Sequence, residues 1–356
     1  VKNIFFDCRY IRIDHHDGIS RFSAGLFAAL SKKIQVTAII CDVRQLQKLP
    51  QGTKFVKISS PTSALEPLVS LQLNKTEADI VFSPMQTIGS FGRKFKLVLT
   101  VHDLIYYRHP APPPNFSWPV RALWRLYHLV YWPQRILLNS SDAVVTVSQT
   151  TKQLIQQNKL TRRPVKVVYN AAESQQTSSI PERRPTQNQN LIYMGSFMDY
   201  KNVEVLIRGM RYLPNHELHL LSRISNARRQ ELEALIHSGA KVVFHNGVSD
   251  EQYHELLSSA VALVSGSRDE GFGIPLVESM NRGVPIVISD IPIFREIGGS
   301  AAIYFDQEDP TAFARAIESI SDNDEWLKAS RASQIQAKKF SWDTSATALL
   351  ELLEQV

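Results

Sequence analysis

Apolar residues along this chain gather in short runs separated by amphipathic stretches, and the arrangement is used twice. In the first half the runs fall at residues 3–8, 35–41, 54–58, 79–83, 96–101, 142–147 and 165–168. Each is short and nearly continuous in apolar character, as a strand buried on both faces of a parallel sheet requires. Between the first two, Ile19, Phe22, Leu26, Phe27 and Leu30 fall on one face of a helix predicted over 18–32. Strand, helix and strand in alternation predict an α/β doubly wound fold.

Residues 171–190 break the pattern. They are polar, rich in Ser, Gln, Thr, Pro and Arg, and lack periodicity, which is the composition of a domain linker. The alternation then resumes, with strand runs at 191–194, 217–221, 241–244, 261–265, 284–288 and 302–305. Helices are predicted between them, for example over 202–212 and 227–237, and three more close the chain near 310–321, 325–339 and 343–354. The expectation is two doubly wound, Rossmann-like domains, over 1–175 and 176–340. The length of 356 residues agrees, because a single core seldom grows past about 250–300 residues. Ligands of such sheets bind beyond the carboxyl ends of the strands, so two facing domains would place a site in the cleft between them.

Charge changes this picture in one way. Residues 1–175 hold 23 Lys and Arg against 10 Asp and Glu, whereas residues 176–356 hold 17 against 24. A basic half attracts a nucleic acid, an anionic membrane or an acidic substrate. The charges are scattered with no dense basic block, which argues against nucleic acid. No apolar run reaches the ~20 residues that span a bilayer, and the first ten residues lack the long apolar stretch of a secretory signal. A cytoplasmic protein is expected, with Cys8 and Cys41 as two buried structural thiols.

The sharpest candidate chemistry lies between Ser265 and Glu278. An apolar strand ends at Ser265, a loop carrying Glu270, Gly271, Phe272 and Gly273 follows, and Ile274 and Pro275 open a helix. Glycines let a backbone approach a ligand closely, and free N–H groups at a helix start bind phosphate. Glu278 falls about one turn into the helix. Acids beside a phosphate site make sense when the ligand also carries hydroxyls, since one carboxylate accepts two hydroxyl hydrogen bonds. Taken alone, the same residues fit an acidic helix start and a surface glutamate equally well.

Glu270 and Glu278, separated by seven residues around Gly-Phe-Gly-Ile-Pro, resemble the paired-glutamate motif of retaining GT-B glycosyltransferases, in particular glycosyltransferase family 4. Further landmarks occur in order: Asp17-Gly18-Ile19-Ser20-Arg21 resembles the glycine loop after the first strand, Thr100-Val101-His102-Asp103 a middle strand end, and Val147-Ser148 and Tyr169-Asn170 later ones. Tyr193-Met194-Gly195 followed by Lys201-Asn202 is similar to the loop that opens the second domain.

The resemblance implies a GT-B fold, two Rossmann-like domains facing each other across a cleft, with the last helix, within 341–356, returning to the first domain. It implies that Glu278 holds the ribose, Glu270 the donor hexose, and Lys201 the departing diphosphate. The N–H groups of Phe272, Gly273 and Ile274 would face the hexose or diphosphate, Gly18 and Ile19 the β-phosphate, His102 the transferred sugar near its C6 hydroxyl, and Val248 the base. Many members carry an Arg where Ser196 follows Gly195; Arg21, Arg223 and Arg268 are candidates to replace it, Arg21 first.

By the same resemblance the donor is a nucleoside-diphosphate sugar, GDP-mannose as first expectation, and the acceptor a lipid-linked or oligosaccharide molecule of the cell envelope. No metal or other cofactor is implied. Transfer would be by same-face attack, since no carboxylate nucleophile stands out. Two alternatives are a catalytically silent nucleotide-sugar binder and a nucleotide-sugar epimerase on the same fold.

Three weaker features have ordinary explanations beside sharper ones. Asp14-His15-His16-Asp17 is metal-like in composition, but adjacent side chains seldom converge on one ion, and a polar loop is expected. Asp322-Asn323-Asp324 is expected to cap a helix. The segment 116–138, with Trp118, Trp124, Trp132, Arg121, Arg125 and Arg135, fits an amphipathic helix lying on an anionic membrane or an ordinary helix packed on the first sheet.

Overall fold

The computed structural model describes residues 2–13, 17–112, 117–172 and 189–356. Asp14, His15 and His16, and residues 173–188 of the expected linker, lie outside the described residues. The chain divides into two compact units: Val1–Ala171 with Ser341–Val356, and Ala172–Phe340.

Unit 1 runs β1 (Ile4–Asp7), α1 (Gly18–Ser31), β2 (Val36–Ile40), β3 (Phe55–Lys57), α2 (Val69–Leu73), β4 (Ile80–Ser83) and β5 (Lys96–Val101). It continues through α3 (Ile105–Arg108), α4 (Trp118–His128), α5 (Trp132–Asn139), β6 (Ala143–Thr146), α6 (Gln149–Gln157) and β7 (Val165–Val167). The seven strands are parallel, in the order β3-β2-β1-β4-β5-β6-β7. Every residue of β1, β4 and β6 is buried, as their apolar runs demand. The Phe6 ring joins sheet to helix, with centroids 5.5 Å from Phe27 and 4.8 Å from Phe82.

Unit 2 runs β8 (Asn190–Tyr193), α7 (Val203–Gly209), β9 (Glu217–Leu220), α8 (Asn226–Glu233), β10 (Lys241–Phe244), α9 (Asp250–Ser258) and β11 (Ala262–Ser265). It ends with α10 (Ile274–Asn281), β12 (Ile286–Ser289), α11 (Pro292–Gly298), β13 (Ile303–Phe305), α12 (Pro310–Glu318) and α13 (Asn323–Ala337). Its six strands are also parallel, in the order β10-β9-β8-β11-β12-β13. Two parallel sheets with helical crossovers are the α/β doubly wound architecture that the run pattern predicts. Trp326 is fully buried beneath this sheet, its indole N–H donating to Val261 O at 2.8 Å.

The last helix, α14 (Trp342–Gln355), belongs to unit 1 and packs on α1. Gly25 makes the contact possible: a Cβ there would overlap the Trp342 indole. Ser345 donates to Tyr169 O at 2.7 Å, and Lys33–Asp343 and Lys166–Glu351 ion pairs of 2.7 and 2.8 Å flank the helix.

Two local expectations change. Residues 116–138 predict one helix, but the described part forms α4 and α5, because Pro133 lacks the N–H a helix interior needs and sits instead in the first turn of a new helix. Cys8 is buried but Cys41 is half-buried; both are free thiols.

Candidate active site

In unit 2 the strand order reverses direction between β8 and β11, so the loops leaving their carboxyl ends open at one place. The β8 loop ends in a 3-10 turn, Asp199–Lys201, and Asn202 follows with φ +46°, a left-handed conformation that Asn tolerates. The Asn202 amide donates to Gly266 O at 3.2 Å and to Gln307 O at 2.7 Å, which ties the β8 loop to the β11 loop. Gly266 is needed at this crossing, where a Cβ would lie 2.8 Å from Asn202 O. The result is that Lys201 Nζ and Glu270, far apart in sequence, form an ion pair in which both side chains are mostly buried. The Ser267 hydroxyl lies 3.5 Å from the same carboxylate oxygen.

Glu278 comes from α10. Gly273, with φ +92°, turns the chain into this helix and Pro275 stands in its first turn. The Glu278 side chain is buried, and the Tyr253 hydroxyl, also buried, donates to its Oε2 at 2.9 Å. A buried carboxylate needs such donors. Phe272 is buried with its ring 5.6 Å from that of Phe340, while Gly273 and Ile274 are half-buried at the helix start. Val248 is half-buried and follows Gly247, whose φ of +102° and contact with the Arg223 side chain exclude a larger residue.

The position without the expected Arg is Ser196, whose carbonyl accepts from the Tyr193 hydroxyl at 2.6 Å. Of the candidate replacements, Arg268 is held by both oxygens of Glu308 at 2.6 and 2.9 Å, and Arg223 lies against Gly247. A cation that sequence reasoning missed does reach this loop. Arg228 of α8 donates to Phe197 O at 3.1 Å, and Glu204 and Glu231 balance its charge. Tyr253 was missed for the same reason: both come from other helices, and no motif marks them.

In unit 1 the order reverses between β1 and β4. Gly18 and Ile19 begin α1, which Asp17 caps by accepting from Ser20 N at 2.9 Å, and Arg21 lies in the first turn. His102 follows β5. Its Nε2 lies 2.7 Å from Pro84 O, after β4, and its ring meets Phe22 edge-on at 5.1 Å. A carbonyl only accepts, so Nε2 carries the proton and Nδ1 is left as an acceptor. Burial holds this imidazole below the usual histidine range, so it is neutral at pH 7. Asp103 accepts from Ile105 N, the first residue of α3, at 3.0 Å. Unit 1 thus brings the start of α1 beside His102, and unit 2 joins Lys201 to Glu270.

Asp322 caps α13, accepting from Asp324 N at 2.8 Å and Glu325 N at 3.3 Å. Among the described residues no group of three or more metal-ligating side chains occurs, and no helix is long and apolar enough to cross a membrane.

The family model for glycosyltransferase family 4 matches residues 17–176, and that for glycosyl transferases group 1 matches residues 174–340. The chain belongs to this glycosyltransferase family. The glycosyltransferase is 29% identical over 325 residues to the O-antigen chain mannosyltransferase RfbU of Salmonella typhimurium, covering 85% of this chain and 87% of the relative. It is also 29% identical over 164 residues to the O-antigen chain mannosyltransferase B of Escherichia coli, covering 44% of this chain and 43% of that one. Among solved structures, Anabaena HepE in complex with UDP and glucose superposes with a TM-score of 0.73 at 17% identity over 100% of both chains. WaaG, a glycosyltransferase involved in lipopolysaccharide biosynthesis, does so with a TM-score of 0.66 at 15% identity, covering 98% of this chain and 99% of that one. At these identities the structural likeness establishes the GT-B fold.

Proposed function

We propose that this glycosyltransferase moves mannose from GDP-mannose to a lipid-linked or oligosaccharide acceptor of the cell envelope, with retention and without a metal ion. The observation that carries the reading is the Lys201–Glu270 pair at the strand reversal of unit 2, joined by the β11–α10 loop to a buried Glu278 that accepts from the Tyr253 hydroxyl. Ammonium and carboxylate satisfy each other in this pair. A nucleotide sugar offers both a better partner: diphosphate for Lys201 and hydroxyls for Glu270. Glu278, held in one orientation, then accepts from the ribose hydroxyls. The N–H groups of Phe272, Gly273 and Ile274 are directed to the donor, and Val248 to the base. Gly18, Ile19, Arg21 and His102 keep the roles the family resemblance implies. Mannose is supported by the two O-antigen relatives, both of them mannosyltransferases.

In the chemical step an acceptor oxygen forms the new bond to the sugar C1 on the face the phosphate leaves. The C1–O bond breaks, its electron pair stays on the phosphate oxygen, and that oxygen takes the acceptor's proton. Lys201 stabilises the charge that develops there, a role that needs no metal. Such an acceptor places the enzyme on the cytoplasmic side, at the inner face of the membrane.

The test is incubation of the purified protein with GDP-mannose, UDP-glucose and other nucleotide sugars, with and without envelope oligosaccharides. Slow release of nucleoside diphosphate, accelerated by acceptor, is expected and fastest for GDP-mannose. Tight donor binding with no turnover for any acceptor would replace this reading with that of a silent binder.

A further inference from the structure

The loop between β8 and α7, residues 194–202, turns its carbonyls into the protein. Ser196 O accepts from the Tyr193 hydroxyl at 2.6 Å, and Phe197 O from Arg228 Nε at 3.1 Å. Met198 O accepts from Lys201 N at 2.8 Å, Asp199 O from Asn202 N at 3.1 Å, and Tyr200 O from Arg268 N at 2.7 Å. Five consecutive acceptors are satisfied in this way. The donors of the same loop are not. Among the described residues, the amides of Ser196, Phe197 and Met198 and the Ser196 hydroxyl have no partner within the chain. A backbone N–H needs an acceptor, from water or from a ligand, and successive open amides favour an anion. Ser196 is exposed, and Gly195 and Met198 are half-buried, so the open side of the loop is within reach of a ligand.

Two side chains brace this conformation. A Cβ on Gly195 would lie 2.9 Å from the Tyr193 hydroxyl, so glycine is what lets that hydroxyl pass to Ser196 O. Arg228 has little charge left to offer a ligand. Its guanidinium pairs with Glu204 and with Glu231 at 2.9 Å, and it lies 3.9 Å from Asp199. What it gives the loop is the hydrogen bond to Phe197 O. Lys201, the cation proposed for the diphosphate, ends the same 3-10 turn.

We infer that the loop takes the place of the Arg absent at Ser196. The amides of Ser196, Phe197 and Met198, with the Ser196 hydroxyl, donate to the sugar-bearing phosphate of the donor, and Tyr193 and Arg228 are positioning residues that hold those amides open. This rests on the reading of unit 2 as the nucleotide-sugar side. Fixed dipoles then take over from a side-chain charge, and they need no reorganisation as charge develops on the leaving group.

The experiment is titration calorimetry of GDP and GMP against the full chain, repeated with UDP and UMP. The ratio of diphosphate to monophosphate affinity separates the grip on the outer phosphate from that on ribose and base. The parent is expected to prefer the diphosphate by at least about tenfold, as one hydrogen bond to a charged group contributes. Y193F and R228M should each lower that preference by about two- to tenfold, as one neutral hydrogen bond is lost. R228M/E204Q, which also removes the paired carboxylate, should stay as low as R228M. R229Q, which loses the neighbouring Arg229–Glu233 pair of 2.7 Å on α8, should keep the parent's preference. An unaltered preference in either Y193F or R228M overturns the inference and leaves the donor reading standing. Full recovery in R228M/E204Q also overturns it, because Arg228 would then serve only to mask Glu204. Absence of nucleotide binding by the parent refutes the donor reading itself. Circular dichroism confirms folding, and Y193F carries the test from the other end of the loop if R228M does not fold.

Discussion

Tyr253→Phe removes one oxygen, and that oxygen is the donor to Glu278 Oε2 at 2.9 Å. Both side chains are buried, so water is poorly placed to substitute. A hydrogen bond to a charged group contributes about 1.5–3 kcal/mol. Melting temperatures move by about 2–4 °C per kcal/mol in a domain of about 150–250 residues, so a fall of several degrees is expected. The functional effect is separate. Fixing the rotamer of a glutamate side chain is worth at most about 1.5–2 kcal/mol, so Y253F should weaken nucleotide binding by no more than about 10- to 30-fold through Glu278. Glu278→Ala removes the ribose acceptor itself and should weaken GDP binding by about 10- to 150-fold. In the E278A background, Y253F should then have no further effect on binding. Titration calorimetry of GDP against the four proteins at one salt concentration measures the cycle. Equal losses from Y253F with and without Glu278 would refute the claim that Tyr253 acts by holding that carboxylate. Unchanged GDP affinity in E278A would remove the ribose assignment.

Other outcomes are equally specific. Lys201→Met should lower kcat by about 10²–10³ if its charge stabilises the leaving diphosphate; an unaltered kcat for diphosphate release would discard that role. Activity should persist in excess chelator, and its abolition would require a metal. Gly25→Val would force a side chain into the Trp342 indole, an overpacking cost of about 1–3 kcal/mol, visible as a lower melting temperature in calorimetry. His219 Nδ1 and His245 Nε2 lie 2.9 Å apart, and burial lowers the pKa of both. Their contribution to stability is therefore complete above the ordinary value of about 6.5 and is lost as pH falls through the lower folded values. The fall in melting temperature between about pH 7 and pH 5 should be shallower in H219Q/H245Q; an identical slope would show that the pair does not titrate in this range.

How much of this could be read beforehand depended on whether the information was local. Strand runs such as 80–83 and 262–265 are short, wholly buried and apolar up to a closing serine because both sheet faces are covered, so run length reveals them. The glutamates and the glycine-rich turn into α10 were equally legible, since a loop between a strand and a helix is written in consecutive residues. Contacts between distant segments were not. Nothing near Lys201 announces Glu270; the pairing follows from the reversal of strand order and from Asn202 bridging the two loops. Tyr253 reads as an ordinary apolar-face residue of α9 until its hydroxyl is seen on Glu278. Arg228 reads as one more charge on a polar helix. The division of 116–138 follows from Pro133, to which the apolar periodicity on either side is blind.

The return of α14 to unit 1 has a consequence for the order of events during synthesis. Unit 2 is one uninterrupted stretch, Ala172–Phe340, and all its strands have been made once the ribosome has passed that point. Unit 1 begins earlier but closes later. Until Trp342 emerges, the surface of α1 around Gly25 lacks its contact with α14, and of the two units the one begun first is the one completed second. A nascent chain halted before residue 341 would therefore carry a finished second unit behind a first unit still open along one helix, and that helix is where chaperones or proteases would find it.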